Sequence, residues 1–173
     1  FTDAHSPSGV CSPTRYSVLT GRYPWRDGVG GALQGIHDPA LKRNQPVVAK
    51  FLRRYGYRTA MFGKWHIGLR FAGDYTITKP GLIEGEPDFH QPFVDGPTHH
   101  GFDEFFGVNG NFDLAQHLDF WIENDRVVAP GSLVKKTEKH PRRGIVLDAW
   151  EAKDWDPRDL TRLPMEKALA FLD

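Results

Sequence analysis

The chain has 173 residues, of which 39% are hydrophobic and 13% aromatic, enough to fill the core of one domain. Lysine plus arginine equal aspartate plus glutamate at 22 each, so no global field draws the protein to nucleic acid or to an anionic membrane. A single cysteine excludes an internal disulfide and a thiolate-only zinc site, and no apolar run is long enough to span a bilayer.

The chain opens on Phe1 rather than methionine, and Leu172-Asp173 falls inside a helical pattern, so the reading expects a segment of a longer protein. Residues 2–9 are small and polar and form a loop that delivers Cys11. A helix is expected from about Pro13 to Leu19, with Ser12 as its cap, proline in its first turn and Gly21 as its stop. Cys11 and Arg15 stand four residues apart around the start of this helix and project in one direction. The unpaired N–H groups of a first turn point toward the same space, a setting that favours an anion.

Residues 23–35 read as a glycine-rich loop. Gly28-Val29-Gly30-Gly31 lacks the strand before it and the helix after it that a dinucleotide fingerprint requires. A second helix is capped by Asn44, with Val47, Val48, Phe51, Leu52 and Tyr55 on one face and Gly56 ending it. Tyr57 to Phe62 follows as a strand, and a helix feeding a strand favours an α/β architecture. Beyond the strand, Gly63-Lys64-Trp65-His66-Ile67-Gly68 places a lysine and an imidazole on one face if the alternation continues. Such a pair can hold an anion and move a proton.

Residues 68–99 read as a long excursion with a short strand at Tyr75–Thr78. His99-His100 is adjacent rather than at a metal-ligand spacing, and it carries no metal site. Phe102–Phe106 and Leu118–Glu123 read as strands, and Asn124-Asp125 makes a two-residue turn into Arg126-Val127-Val128. The basic stretch from Val134 to Arg143 reads as a solvated loop, since the aromatic interleaving of a nucleic-acid surface is missing. A strand over Ile145–Trp150 and a helix from Thr161, with Leu163, Ala168, Leu169 and Leu172 as its apolar residues, complete the chain.

Three of these stretches, in this order, resemble the formylglycine-dependent sulfatases. Cys11-Ser12-Pro13-Thr14-Arg15 with Leu19-Thr20-Gly21-Arg22 is similar to their first signature, and Gly56-Tyr57-Arg58-Thr59 leading to Gly63-Lys64-Trp65-His66-Ile67-Gly68 to their second. His100-Gly101-Phe102-Asp103-Glu104-Phe105-Phe106-Gly107 is similar to a later arylsulfatase stretch, and the likeness covers roughly residues 1–128. The resemblance implies an alkaline-phosphatase-like sandwich, a central mostly parallel or mixed sheet flanked by helices, of which residues 1–173 are a partial N-terminal catalytic domain with no internal boundary.

It also implies a mechanism. Cys11 would be oxidised by a separate formylglycine-generating enzyme, and the hydrated aldehyde would bind calcium, attack the sulfur of a sulfate monoester and then expel sulfate. Arg15 would hold the formylglycine, Lys64 would ligate a sulfate oxygen and His66 would assist the elimination step. Ser12, Pro13 and Thr14 would serve maturation and helix geometry. The family's paired metal-binding aspartates, its later aspartate-asparagine pair and its second active-site lysine have no counterpart in these residues, so Cys11 is the one metal ligand expected here, and the isolated segment is expected to be inactive. Asp113 and His117 stand as substrate-side candidates for the leaving group. A formylglycine-dependent phosphonate or phosphodiester hydrolase and a non-catalytic relative of the same fold are the alternatives. The specific sulfate ester and the oligomeric state stay open, and a periplasmic or secreted location is expected, lysosomal or extracellular in a eukaryote.

Overall fold

The computed structural model describes residues 2–33, 35–79, 82–110, 118–139 and 146–173. Two strands form the centre of the first sheet: β1 (Ala60–Lys64) runs parallel to β4 (Glu104–Val108), pairing Ala60 with Glu104 through Lys64 with Val108. This pair approaches closely where two glycines face each other, because a Cβ on Gly107 would lie 1.7 Å from the carbonyl oxygen of Gly63. The hairpin β6 (Ile122–Glu123) and β7 (Arg126–Val127) extends the sheet antiparallel to β4, giving the order β1-β4-β6-β7. Its turn residue Asn124 has a positive φ of 56° and donates its N–H to Phe105 O at 2.7 Å.

Helix α3 (Asp159–Leu172) covers one face of this sheet. Phe171 packs against Phe62 at 5.9 Å between ring centroids, and Lys167 lies over Phe106 and pairs with Glu123 at 2.5 Å. The expected inward residues are corrected here: Leu169 and Leu172 are exposed, and the sheet is met by Phe171 and the buried Pro164. On the other face Trp65 and Phe105 are buried with their rings edge to face, so the sheet is packed on both sides.

The excursion is more regular than its composition suggests. β2 (Ala72–Lys79) and β3 (Leu82–Asp88) form an antiparallel hairpin. β5 (Leu118–Asp119) runs parallel to β9 (Val146–Ala152), which pairs antiparallel with β8 (Leu133–Lys139). The expected strand over Leu118–Glu123 is therefore two short strands in different sheets. The stretch read as a solvated basic loop is strand up to Lys139, its charge met by Glu86 and Asp148 on Lys135 and by Glu151 on Lys136. Phe71, Phe89, Phe93, Phe120 and Trp150 join these pieces in an aromatic cluster with edge-on contacts of 5.0 to 6.5 Å.

Helix α2 spans Val48–Arg53, with Val47 rather than Asn44 at its start. Its inward residues are Val47 and Ala49, whereas Phe51 and Tyr55 are 56% and 69% exposed, against the face expected from spacing. Among the described residues no helix is long and apolar enough to cross a membrane.

Candidate active site

Helix α1 (Cys11–Thr20) begins two residues earlier than its sequence suggests. Val10 is its extended N-terminal flank, Cys11 opens the first turn, and Pro13 falls where a missing N–H costs nothing because first-turn N–H groups lack helical acceptors. Gly21 ends the helix in the left-handed conformation at φ 67°, donating its N–H to Ser17 O. Ser12 is not a cap. Its fully buried hydroxyl accepts the N–H of Leu33 at 3.1 Å.

The parallel pairing of β1 and β4 puts both C-terminal ends at one edge, where α/β sheets place their sites. The chain leaves β1 through Trp65 and His66, whose N–H groups still donate to Val108 O at 2.9 Å and Asn109 O at 2.6 Å. His66 then turns with a positive φ of 56°, so strand alternation stops before it and cannot be what groups it with Lys64. Trp65 is a packing anchor: it is buried, donates Nε1–H to Gly68 O at 2.8 Å and lies among His100, Phe102 and Phe105.

The first turn of α1 meets this edge. Cys11 Sγ lies 3.1 Å from His66 Nδ1, and one turn on, Arg15 Nη1 donates to the carbonyl oxygen of Lys64 at 2.5 Å. Cys11, Arg15, Lys64 and His66 thus lie together, through side chains for Cys11 and His66 and through a main-chain carbonyl for Lys64. The imidazole is 2% exposed, and its Nε2 lies 2.9 Å from Leu33 O. A carbonyl only accepts, so in the neutral ring Nε2 carries the proton and Nδ1 presents a lone pair to Cys11.

Burial lowers the Arg15 pKa and interaction with Cys11 raises it, and the guanidinium stays cationic at neutral pH. Its Nε–H is buried without a hydrogen-bond partner among the described residues, a donor available to an anion. Asp113 and His117 lie outside the described residues.

Sequence reasoning missed Leu33 and Asn109. Leu33 acts through main-chain groups that leave no mark on side-chain patterns. Asn109 carried one signal, a polar residue directly after an apolar strand, and it is now 1% exposed with Nδ2 donating to Gly35 O at 2.5 Å. Among the described residues no three His, Cys, Asp or Glu side chains gather as a metal site. A thiol, an imidazole and a guanidinium do not fit calcium, which takes six or more oxygen ligands, whereas they do suit an oxyanion.

A model of the sulfatase family matches residues 1–153. The chain belongs to the sulfatase family. Arylsulfatase G of Mus musculus is 35% identical over 115 residues, an alignment of 66% of this chain and 18% of the relative. An N-acetylgalactosamine-6-O-sulfatase of Bacteroides thetaiotaomicron is 30% identical over 128 residues, 74% of this chain and 22% of the relative. This sulfatase chain therefore spans about a fifth of the length of these curated relatives. A solved protein from the glycosaminoglycan-metabolism locus of Bacteroides thetaiotaomicron, designated 6S-sulf, shares the fold with a TM-score of 0.72 at 22% identity, over 96% of this chain and 38% of its own. The expected alkaline-phosphatase-like α/β fold is the one found.

Proposed function

We propose that this sulfatase segment carries the nucleophile end of a sulfuric-ester hydrolase, cleaving a sulfate monoester to an alcohol or phenol plus sulfate. The observation that carries the reading is the 3.1 Å approach of Cys11 Sγ to the lone-pair nitrogen of a buried histidine, with Arg15 one turn away. Cys11 is proposed as the substrate of a formylglycine-generating enzyme. Formylglycine in its hydrated form would supply one hydroxyl that attacks sulfur and a second through which sulfate is released.

The chain's own residues do the rest. His66 Nδ1 takes a proton from an oxygen standing where Sγ stands, while Nε2 keeps its proton on Leu33 O. Arg15 directs positive charge at that oxygen and at the bound anion, gaining strength from partial burial, and the Lys64 ammonium contacts a sulfate oxygen. Calcium is proposed only together with oxygen ligands from the part of a relative's length that this chain does not span, and no step here runs through it. Partners are accordingly the sulfate ester and the maturation enzyme.

The test uses the full-length protein, matured in a competent host, with the mass of the Cys11 peptide reporting conversion. Hydrolysis of an aryl sulfate exceeding that of the matching phosphodiester, with loss of about a thousand-fold or more in Cys11→Ala, is expected. Converted protein that leaves aryl sulfates intact, or that prefers the phosphodiester, overturns the reading.

A further inference from the structure

Three partly buried polar contacts meet at Leu33 and Gly35 beside the candidate nucleophile. Ser12 Oγ, fully buried, accepts the Leu33 N–H at 3.1 Å. Leu33 O lies 2.9 Å from His66 Nε2. Asn109 holds both sides of the arrangement: its carbonyl oxygen accepts the His66 N–H at 2.6 Å, and its Nδ2 donates to Gly35 O at 2.5 Å.

An imidazole has two neutral tautomers of similar energy, and its neighbours decide between them. Here the deciding group is the main-chain carbonyl of Leu33, a residue in neither helix nor strand. Such a carbonyl selects Nε2–H only if Leu33 is held at hydrogen-bond distance. Ser12 holds Leu33 itself, and Asn109 holds Gly35 two residues later. The Ser12 and Asn109 side chains are both buried, where a missing partner costs most. We infer that Ser12 and Asn109 are positioning residues: they clamp Leu33 and Gly35 beside His66, fix the Nε2–H tautomer and so turn the Nδ1 lone pair on Cys11. Ser12 thus acts after maturation as well as lying within the stretch that maturation would read.

The catalytic part of this inference rests on the proposed role of His66, whereas the tautomer does not, so two readouts separate them. The first is the two-bond proton–nitrogen correlation spectrum of nitrogen-15 histidine-labelled full-length protein, at a pH where His66 is neutral. Wild type is expected to show a protonated Nε2 and a bare Nδ1. Ser12→Ala and Asn109→Ala are expected to show averaged or reversed tautomers, and Ser12→Thr, which retains the hydroxyl, the wild-type pattern. A wild-type spectrum with Nδ1–H overturns the inference without any variant, and so do alanine variants with unchanged ring resonances. The second readout is turnover of an aryl sulfate at equal formylglycine content, measured by peptide mass. A fall in kcat of about 10- to 100-fold with KM within about twofold is expected for the alanine variants, and restoration in Ser12→Thr. Altered tautomers with unchanged kcat support the clamp and overturn the catalytic part, separating its failure from that of the sulfatase reading.

Discussion

At the scale of single residues, the site depends on one unusual backbone and one cation. His66 occupies the left-handed region at φ 56°, a conformation costing a non-glycine residue about 1 kcal/mol or more. Its main-chain N–H on Asn109 O and its ring on Leu33 O hold it there. Arg15 combines a main-chain contact to Lys64 O with a buried Nε–H directed to no described protein acceptor. Lysine at this position retains the charge but loses the planar fork of donors. Arg15→Lys is therefore expected to reduce kcat/KM of the matured enzyme by about 10- to 100-fold, the value of one charge-assisted hydrogen bond. Steady-state kinetics on an aryl sulfate checks this, and a variant within twofold of wild type would remove Arg15 from the anion site.

Among the elements, the parallel pair β1 and β4 determines where the site can form, because the loops leaving both strands carry His66 and Asn109. Their spacing depends on Gly107, whose added Cβ would meet the Gly63 main chain, a group that cannot rotate away. Gly107→Ala is expected to destabilise the protein by about 2 kcal/mol or more, whereas Gly131→Ala, with open space at the added carbon, should stay within about 0.5 kcal/mol. Urea unfolding midpoints of the two variants test this contrast, and equal midpoints would count against close pairing at Gly63. The β8–β9 pair gives the opposite case. Lys136 and Glu151 meet at 2.6 Å with both side chains solvated, so Lys136→Ala should change stability by less than about 1 kcal/mol in the same assay.

Across the molecule, a buried histidine–carboxylate contact ties the segment after the β2–β3 hairpin to the aromatic packing behind the site. His100 Nε2 and Asp95 Oδ1 are 2.7 Å apart, with the histidine fully buried and its ring against Trp65. Asp95 also exchanges main-chain hydrogen bonds with Arg70. Burial pushes the Asp95 carboxyl up, but the contact with His100 and the charges of His99 and Arg43 reverse this and hold it below its ordinary 3.8. A carboxyl lowered in the folded state contributes stability above its unfolded pKa and loses it as pH falls through the folded value. Thermal midpoints should therefore drop on acidification below about pH 4 in part through Asp95. In Asp95→Asn the neutral midpoint should be lower and the acid decline shallower. Wild-type and variant curves that run parallel would contradict this account.

The sequence by itself determined the family and the α/β order, and its motifs singled out four residues for the candidate site: a cysteine and arginine one helical turn apart, and a lysine and histidine at a strand's end. It also marked Gly21 and Asn124, where a chain reversal requires a left-handed backbone. The exposed ring of Phe51, the division of Leu118–Glu123 between two sheets and the strand in the basic stretch were not legible, since each depends on what lies opposite the segment. Helical spacing identifies a face without identifying what covers it, and charge pattern does not reveal a cross-strand partner. Only the tertiary structure decided which nitrogen of His66 faces Cys11. The deciding groups are main-chain atoms at Leu33 and Asn109, far from His66 in sequence, and every residue except proline carries the same pair of them.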